Sequence, residues 1–226
     1  MDIGDIMKKI IGILTTSNYM ETDDTFQDTY RFGNNYIKKI IECGGIPYLI
    51  PLCEDKIIPE TLEMCDGLLL PGGSKIKSSY FDVIDYFYRN NKPMLGICMG
   101  MQELAMYSVN IENDNKRIIS DITTGVDHWP VTLYRDNVKT LVHNNVIDKD
   151  SKLYNILGKE IIKVNSLHKR CINEVGSKFR ISCKSEDGII EGIEYINDDK
   201  FIIGVQFHPE ILDEFDSLFK EFISKC

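Results

Sequence analysis

Residues 92–104 read KPMLGICMGMQEL, and the architecture of the whole chain follows from how that stretch is parsed. Pro93 to Ile97 is an apolar run of strand length, and Met99 to Tyr107 carries apolar residues at helical spacing. Between them lies Gly96-Ile97-Cys98-Met99-Gly100, a G-x-C-x-G placed where a buried strand must turn sharply into a helix. A nucleophile elbow needs that context: the glycines remove side chains that would clash in the turn, so the central residue projects its reactive atom into an open crevice. Unpaired N–H groups at a helix start favour an anion, which suits a thiol nucleophile at Cys98.

Upstream, the same strand-then-helix unit repeats. Ile10 to Leu14 reads as a strand, and about 26–43 as a helix with apolar positions at Phe32, Tyr36, Ile40 and Ile41. Gly44-Gly45 stops that helix, and Pro47 to Pro51 follows as a second buried strand. Gly67 to Leu70 is a third, ending in Pro71-Gly72-Gly73, and a helix over about Tyr80 to Arg89 leads back to the elbow. Alternating elements of these lengths imply a mostly parallel sheet with helices on both faces. Beyond Trp129 the pattern changes to short strands at Val131 to Tyr134, Ile161 to Val164, Phe179 to Cys183, Ile189 to Tyr195 and Phe201 to Phe207. Turn signals at Asp187-Gly188 and Asn197 to Asp199 make these an antiparallel extension, closed by a helix over Leu212 to Phe222.

Composition narrows the class. The chain has 226 residues, 43% hydrophobic and 27% charged, which suits one globular domain over 1–226 with no linker or repeat to divide it. A net charge of −9 without a basic stripe argues against nucleic acid. Asp2 and Asp5 stand where a signal peptide would be positive, and no apolar run is long enough to span a bilayer, so a cytoplasmic location off the membrane is expected. Seven cysteines at irregular spacing form neither a disulfide framework nor a paired zinc motif, and all but Cys98 are expected to be reduced and inert.

A cysteine nucleophile needs a base, and the chain offers His128, His143, His168 and His208. His208 has the best setting: it follows an apolar strand that Pro209 terminates, and Glu210 stands two positions on, where it can hold one imidazole nitrogen while the other faces the thiol. Backbone N–H groups of Gly73 and Met99, both at the carboxyl edge of the sheet, are candidate oxyanion donors. His168, directly after a strand in VNSLH, is assigned to substrate binding or the pocket wall. His128 and His143 fall in polar, turn-rich stretches and read as surface residues. No metal is expected, since no two His or Cys lie at ligand spacing on one helix face.

In its motifs the sequence resembles the class I glutamine amidotransferase superfamily, and within it the γ-glutamyl-γ-aminobutyrate hydrolase-like peptidases. The resemblance runs through YIKKIIECGGIPYLIP, CDGLLLPGG, KPMLGICMGMQEL, VNSLH, SEDGIIEGIEY and GVQFHPE, in that family's order. It implies a three-layer, flavodoxin-like fold without a cofactor, a triad of Cys98, His208 and Glu210, an oxyanion hole at Gly73 and Met99, and substrate contacts from Gln102, Ser166 and His168. Met99 stands where the hydrolase branch commonly has Arg, only Ser74 to Phe81 separates the P-G-G turn from its helix where the family carries a longer acidic insertion, and Lys169 and Arg170 replace the family's second His and Gln. The activity so implied is hydrolysis of a small γ-glutamyl amide. The alternative is a glutaminase subunit that supplies ammonia to a separate synthase. A decayed, purely binding module is a third reading, opposed by the intact triad. Expected partners are the small-molecule substrate, a second copy in a homodimer as one option, and a synthase under the alternative.

Overall fold

A computed structural model of the protein describes residues 7–17, 30–31, 33–53, 56–112, 116–130, 137 and 139–226. Its centre is a nine-stranded sheet formed by β1 (Ile10–Leu14), β2 (Ile46–Ile50), β3 (Gly67–Leu70), β4 (Met94–Ile97), β5 (His143–Ile147), β6 (Ile161–Val164), β7 (Phe179–Ser185), β8 (Ile190–Tyr195) and β9 (Ile202–Val205). The spatial order is β6-β5-β7-β8-β9-β4-β3-β1-β2. Strands β9, β4, β3, β1 and β2 pair in parallel, whereas β8 joins β9 antiparallel and β7, β5 and β6 continue that way. The mostly parallel sheet with an antiparallel extension is therefore present as the chain's alternation implied.

Among the described residues six α-helices accompany it: α1 (Asn34–Glu42), α2 (Pro59–Glu63), α3 (Ser78–Arg89), α4 (Met99–Asn110), α5 (Lys152–Leu157) and α6 (Asp216–Lys225). Strands buried on both faces need apolar residues at every position, and β3 shows how they are divided. Leu68 and Leu70 join a core cluster with Val83, Phe87 and Leu104 of α3 and α4, while Leu69 points to the opposite cluster with Ile40, Phe219 and Phe222 of α1 and α6. Each such side chain contributes about 1.5–3 kcal/mol on full burial. Lys39 of α1, 2% exposed, pairs with Asp216 at 2.7 Å and Asp213 at 3.4 Å, tying α1 to the C-terminal helix.

Several boundaries differ from expectation. The first helix starts only after Gly33, with Tyr36 and Ile40 inward but Ile41 exposed; Phe32 and the Val131 to Tyr134 stretch lie outside the described residues. The last helix starts at Asp216 instead of Leu212, because Pro209 and the residues after it form two 3₁₀ turns, Pro209–Ile211 and Asp213–Phe215. Strand β5 and helix α5 were not anticipated. A local signal existed for α5: the Ser151 hydroxyl accepts from the Tyr154 N–H at 2.9 Å, and Gly158 ends the helix at φ +65°.

Candidate active site

Cys98 sits between β4 and α4 at φ +54°, ψ −106°, and is one of two non-glycine residues with positive φ among those described. A side chain held in that region costs of order 1–3 kcal/mol and persists only where the surroundings enforce it. The enforcement is visible. The Cys98 N–H donates to the Val205 carbonyl at 2.8 Å, its carbonyl accepts from the Gln102 N–H at 3.2 Å, and α4 is pressed so close to β3 that a Cβ on Gly100 would lie 2.2 Å from the Leu70 carbonyl oxygen. The glycines permit the close approach, while the strained backbone falls on the cysteine itself.

His208 follows β9, the strand beside β4, in a register that aligns Val205 with Ile97. Its Nδ1 donates to Glu210 Oε1 at 2.8 Å, and its ring stands close enough to the Cys98 thiol to interact with it. Burial opposes charge on this imidazole, but Glu210 and the Cys98 sulfur outweigh it and hold the ring well above its ordinary range. Two further residues, which sequence reasoning missed, position it. Asn165 receives the His208 N–H on Oδ1 at 2.8 Å and donates from Nδ2 to the His208 carbonyl at 2.9 Å, a two-point clamp on the backbone. The Tyr36 hydroxyl accepts from the Gly72 N–H at 2.9 Å, and its phenol is pushed well up by burial, then by Glu210 and Cys98. Gly72 lies among them all: a Cβ there would come within 2.8 Å of the imidazole Cε1 and 2.9 Å of the Tyr36 hydroxyl.

A cavity of about 250 Å³ opens in front of the thiol. Gly73 and Met99 line it, and neither backbone N–H has an acceptor among the described residues. Gln102 also lines it, but both its amide hydrogens are engaged, by the Arg170 carbonyl at 3.2 Å and Gln206 Oε1 at 3.0 Å. Lys169 and Arg170 make the opposite wall positive, Lys169 lying 5.0 Å from the centre of the Trp129 ring.

Three expectations are revised. Ser166, assigned to substrate, is fully buried and donates to the His128 carbonyl at 3.1 Å, so it faces the interior and not the cavity. His128 and His143, read as surface residues, are 3% and 2% exposed. They are drawn inward because β5 directs His143 into the molecule and Asp187 holds the His128 ring at 3.1 Å. His168 does border the cavity, but its ring is committed elsewhere: Nδ1 bonds the Arg170 carbonyl at 3.1 Å, and Nε2 lies 3.2 Å from both Glu191 Oε1 and His128 Nδ1. Burial pushes Asp187 up, but bonds from Ser185, Thr124 and His128 prevail and hold it well below the usual carboxylate range; His143 is pushed down chiefly by burial.

A sheet of this order with a thiol at the carboxyl end of its inner parallel strand defines the class I glutamine amidotransferase-like cysteine hydrolases. The chain belongs to the Peptidase C26 family, whose sequence model matches residues 9–83 and 77–210. It is 31% identical to a protein of Rickettsia prowazekii described as glutamine amidotransferase-like, over 82% of this chain and 84% of the relative. It is 25% identical to the γ-glutamyl-γ-aminobutyrate hydrolase PuuD of Escherichia coli, over 89% and 85%. In fold it resembles the acivicin-bound glutaminase domain of CTPS from Trypanosoma brucei, with a TM-score of 0.68 over 96% of this chain and 93% of that one, at 16% identity.

Proposed function

We propose that the protein hydrolyses the γ-glutamyl amide bond of a small γ-glutamyl amine whose leaving group carries its own carboxylate, as γ-aminobutyrate does. The reading is carried by one arrangement: an imidazole held at 2.8 Å by Glu210 and standing beside a thiol on a strained elbow. In this mechanism the Cys98 thiolate attacks the γ-carbonyl carbon, and the C=O electron pair moves onto oxygen, stabilised by the Gly73 and Met99 N–H groups. Collapse breaks the C–N bond while the His208 imidazolium gives its proton to the departing amine, leaving a thioester. His208, now neutral, takes a proton from water, which attacks the thioester and releases glutamate. Lys169 and Arg170 supply the positive wall that favours a carboxylate on the amine, and the PuuD relationship points the same way.

The test is hydrolysis of a panel of γ-glutamyl amines by wild type and Cys98→Ala. Turnover confined to wild type is expected, and equal rates would remove the mechanism. The fold likeness to a glutaminase domain favours a second reading, a subunit that hydrolyses glutamine for a separate synthase. Cleavage of γ-glutamyl amines without a partner, with glutamine untouched, rejects it; co-purification of a synthase with glutamine as the better substrate establishes it.

A further inference from the structure

Beyond the thiol site, four buried side chains from distant parts of the chain converge behind the cavity wall. His143 Nε2 and His168 Nε2 lie 3.8 and 3.2 Å from Glu191 Oε1, and His128 Nδ1 lies 3.5 Å from the same oxygen and 3.2 Å from His168 Nε2. All four ligand atoms fall within 4.8 Å of one another, and all four residues are buried.

The hydrogen-bond partners around this cluster fix what its inner atoms can be. His128 Nε2 faces the Asp187 carboxylate at 3.1 Å, so it carries the proton and leaves Nδ1 with a lone pair. His168 Nδ1 faces the Arg170 carbonyl at 3.1 Å, so it is the donor there and leaves Nε2 with a lone pair. These two lone pairs then oppose each other at 3.2 Å, beside the Glu191 oxygen. Glu191 Oε1 and both nitrogens of His143 have no hydrogen-bond partner among the described residues. Apart from the Ser166 hydroxyl, 3.2 Å from His128 Nδ1, these converging acceptors meet no donor among the described residues, which is a costly arrangement to bury, and a single proton relieves only one contact of the set.

We infer that His128, His143, His168 and Glu191 bind a divalent zinc ion. Tetrahedral zinc with bonds of about 2.0–2.1 Å places its ligand atoms roughly 3.3–3.5 Å apart, and three of the distances, 3.2, 3.2 and 3.5 Å, already form such a face. Three imidazoles with one carboxylate suit zinc, while calcium and magnesium take oxygen ligands. The outer contacts match those that orient zinc ligands: a carboxylate on His128, a backbone carbonyl on His168 and the Asn145 amide on Glu191 Oε2 at 3.4 Å. Four protein ligands leave no position for substrate, so the ion is structural and its role is independent of the reaction proposed above. It would staple β5 and β8 to the two segments that bring Trp129, Lys169 and Arg170 to the cavity, and so fix the wall that selects the leaving group.

The measurement is the metal content of untagged full-length protein, purified without chelator, exposed to zinc and then desalted. About one zinc per chain is expected. Cobalt substitution should give the visible absorption of a tetrahedral site, and removal with a chelator should lower Tm by roughly 5–10 °C. Cys98→Ala should keep the metal while losing hydrolysis, and His143→Gln and Glu191→Gln should lose it. Folded wild type holding less than about a tenth of an equivalent would overturn the inference, whatever its hydrolytic activity, since a site of this ligand set retains zinc through desalting. Full occupancy in both folded variants would place the metal elsewhere and overturn it equally. If neither variant folds, the wild-type stoichiometry and the cobalt spectrum decide.

Discussion

Asn165 is the residue whose replacement tests most directly how His208, the proposed base, is held. Its side chain touches no reacting group, yet it bonds both the N–H and the carbonyl of His208, at 2.8 and 2.9 Å, in a site where Asn165 is 1% exposed; the carbonyl otherwise accepts only a longer bond from the Ile211 N–H at 3.4 Å. Asn165→Ala leaves the buried His208 N–H unpaired, costing about 1–3 kcal/mol if nothing moves, and removes the shorter of the two bonds to its carbonyl, about 0.5–1.5 kcal/mol. The total is therefore about 1.5–4.5 kcal/mol of stability, an upper value because the strand end can relax toward water. Relaxation carries its own cost, since a shift of the imidazole by about 1 Å lowers turnover on the order of 10²-fold. The loss must appear in one observable or the other. Urea denaturation reads the first, and the rate of iodoacetamide labelling of Cys98, followed by mass spectrometry, reads the second without any assumption about substrate. Asn165→Asp keeps an acceptor for the N–H but no donor for the carbonyl, and should lie between alanine and wild type. An alanine variant within about 0.5 kcal/mol of wild-type stability and with unchanged labelling would refute the clamp.

Glu210→Gln keeps the shape of the base's partner but removes the carboxylate that holds the His208 ring protonated; turnover should fall about 10²–10⁴-fold with Tm nearly unchanged, and a fall below tenfold would assign Glu210 a minor role. Gly72→Ala would place a methyl within 2.8 Å of the imidazole and 2.9 Å of the Tyr36 hydroxyl, so labelling of Cys98 should slow by about tenfold or more, read against a circular dichroism spectrum like that of wild type. Glu103, on α4, is fully buried with neither carboxyl oxygen partnered among the described residues, and burial holds it well above its ordinary value. The folded state keeps that proton after the unfolded chain has released its own, so wild-type stability drains away as pH rises above about 4.5. Glu103→Gln should be neutral near pH 4 and stabilising by about 1–3 kcal/mol at pH 8 in paired denaturant titrations; the same difference at both pH values would contradict the assignment.

What could be read from the sequence was local. The elbow at Cys98 announces itself through glycines two positions to either side, and His208 with Glu210 through a proline that ends a strand. Those signals work because the turn geometry depends on adjacent residues. Asn165 and Tyr36 carry no such signal, since each meets the base across 43 residues of chain or through Gly72, 36 positions away. Strand β5 was unreadable for a different reason. Its inward positions are His143, Asn145 and Ile147, so two of three core-facing side chains are polar, and the usual alternation is inverted by the cluster they serve. The same inversion made His143 look exposed.

The parallel ladder between β9 and β4 has an implication for how relatives of this chain can diverge. Residues 202–205 are paired one for one with 94–97, so thiol and imidazole are delivered to one point by main-chain hydrogen bonds that no loop contributes to. The wall that carries Lys169 and Arg170 belongs instead to the antiparallel half, which joins this ladder in the sheet through β8. Beyond the Asn165 clamp, loops there can lengthen, shorten or change sign without moving the thiol and imidazole. A chain built this way can change what its crevice admits while the thiol and imidazole keep their places.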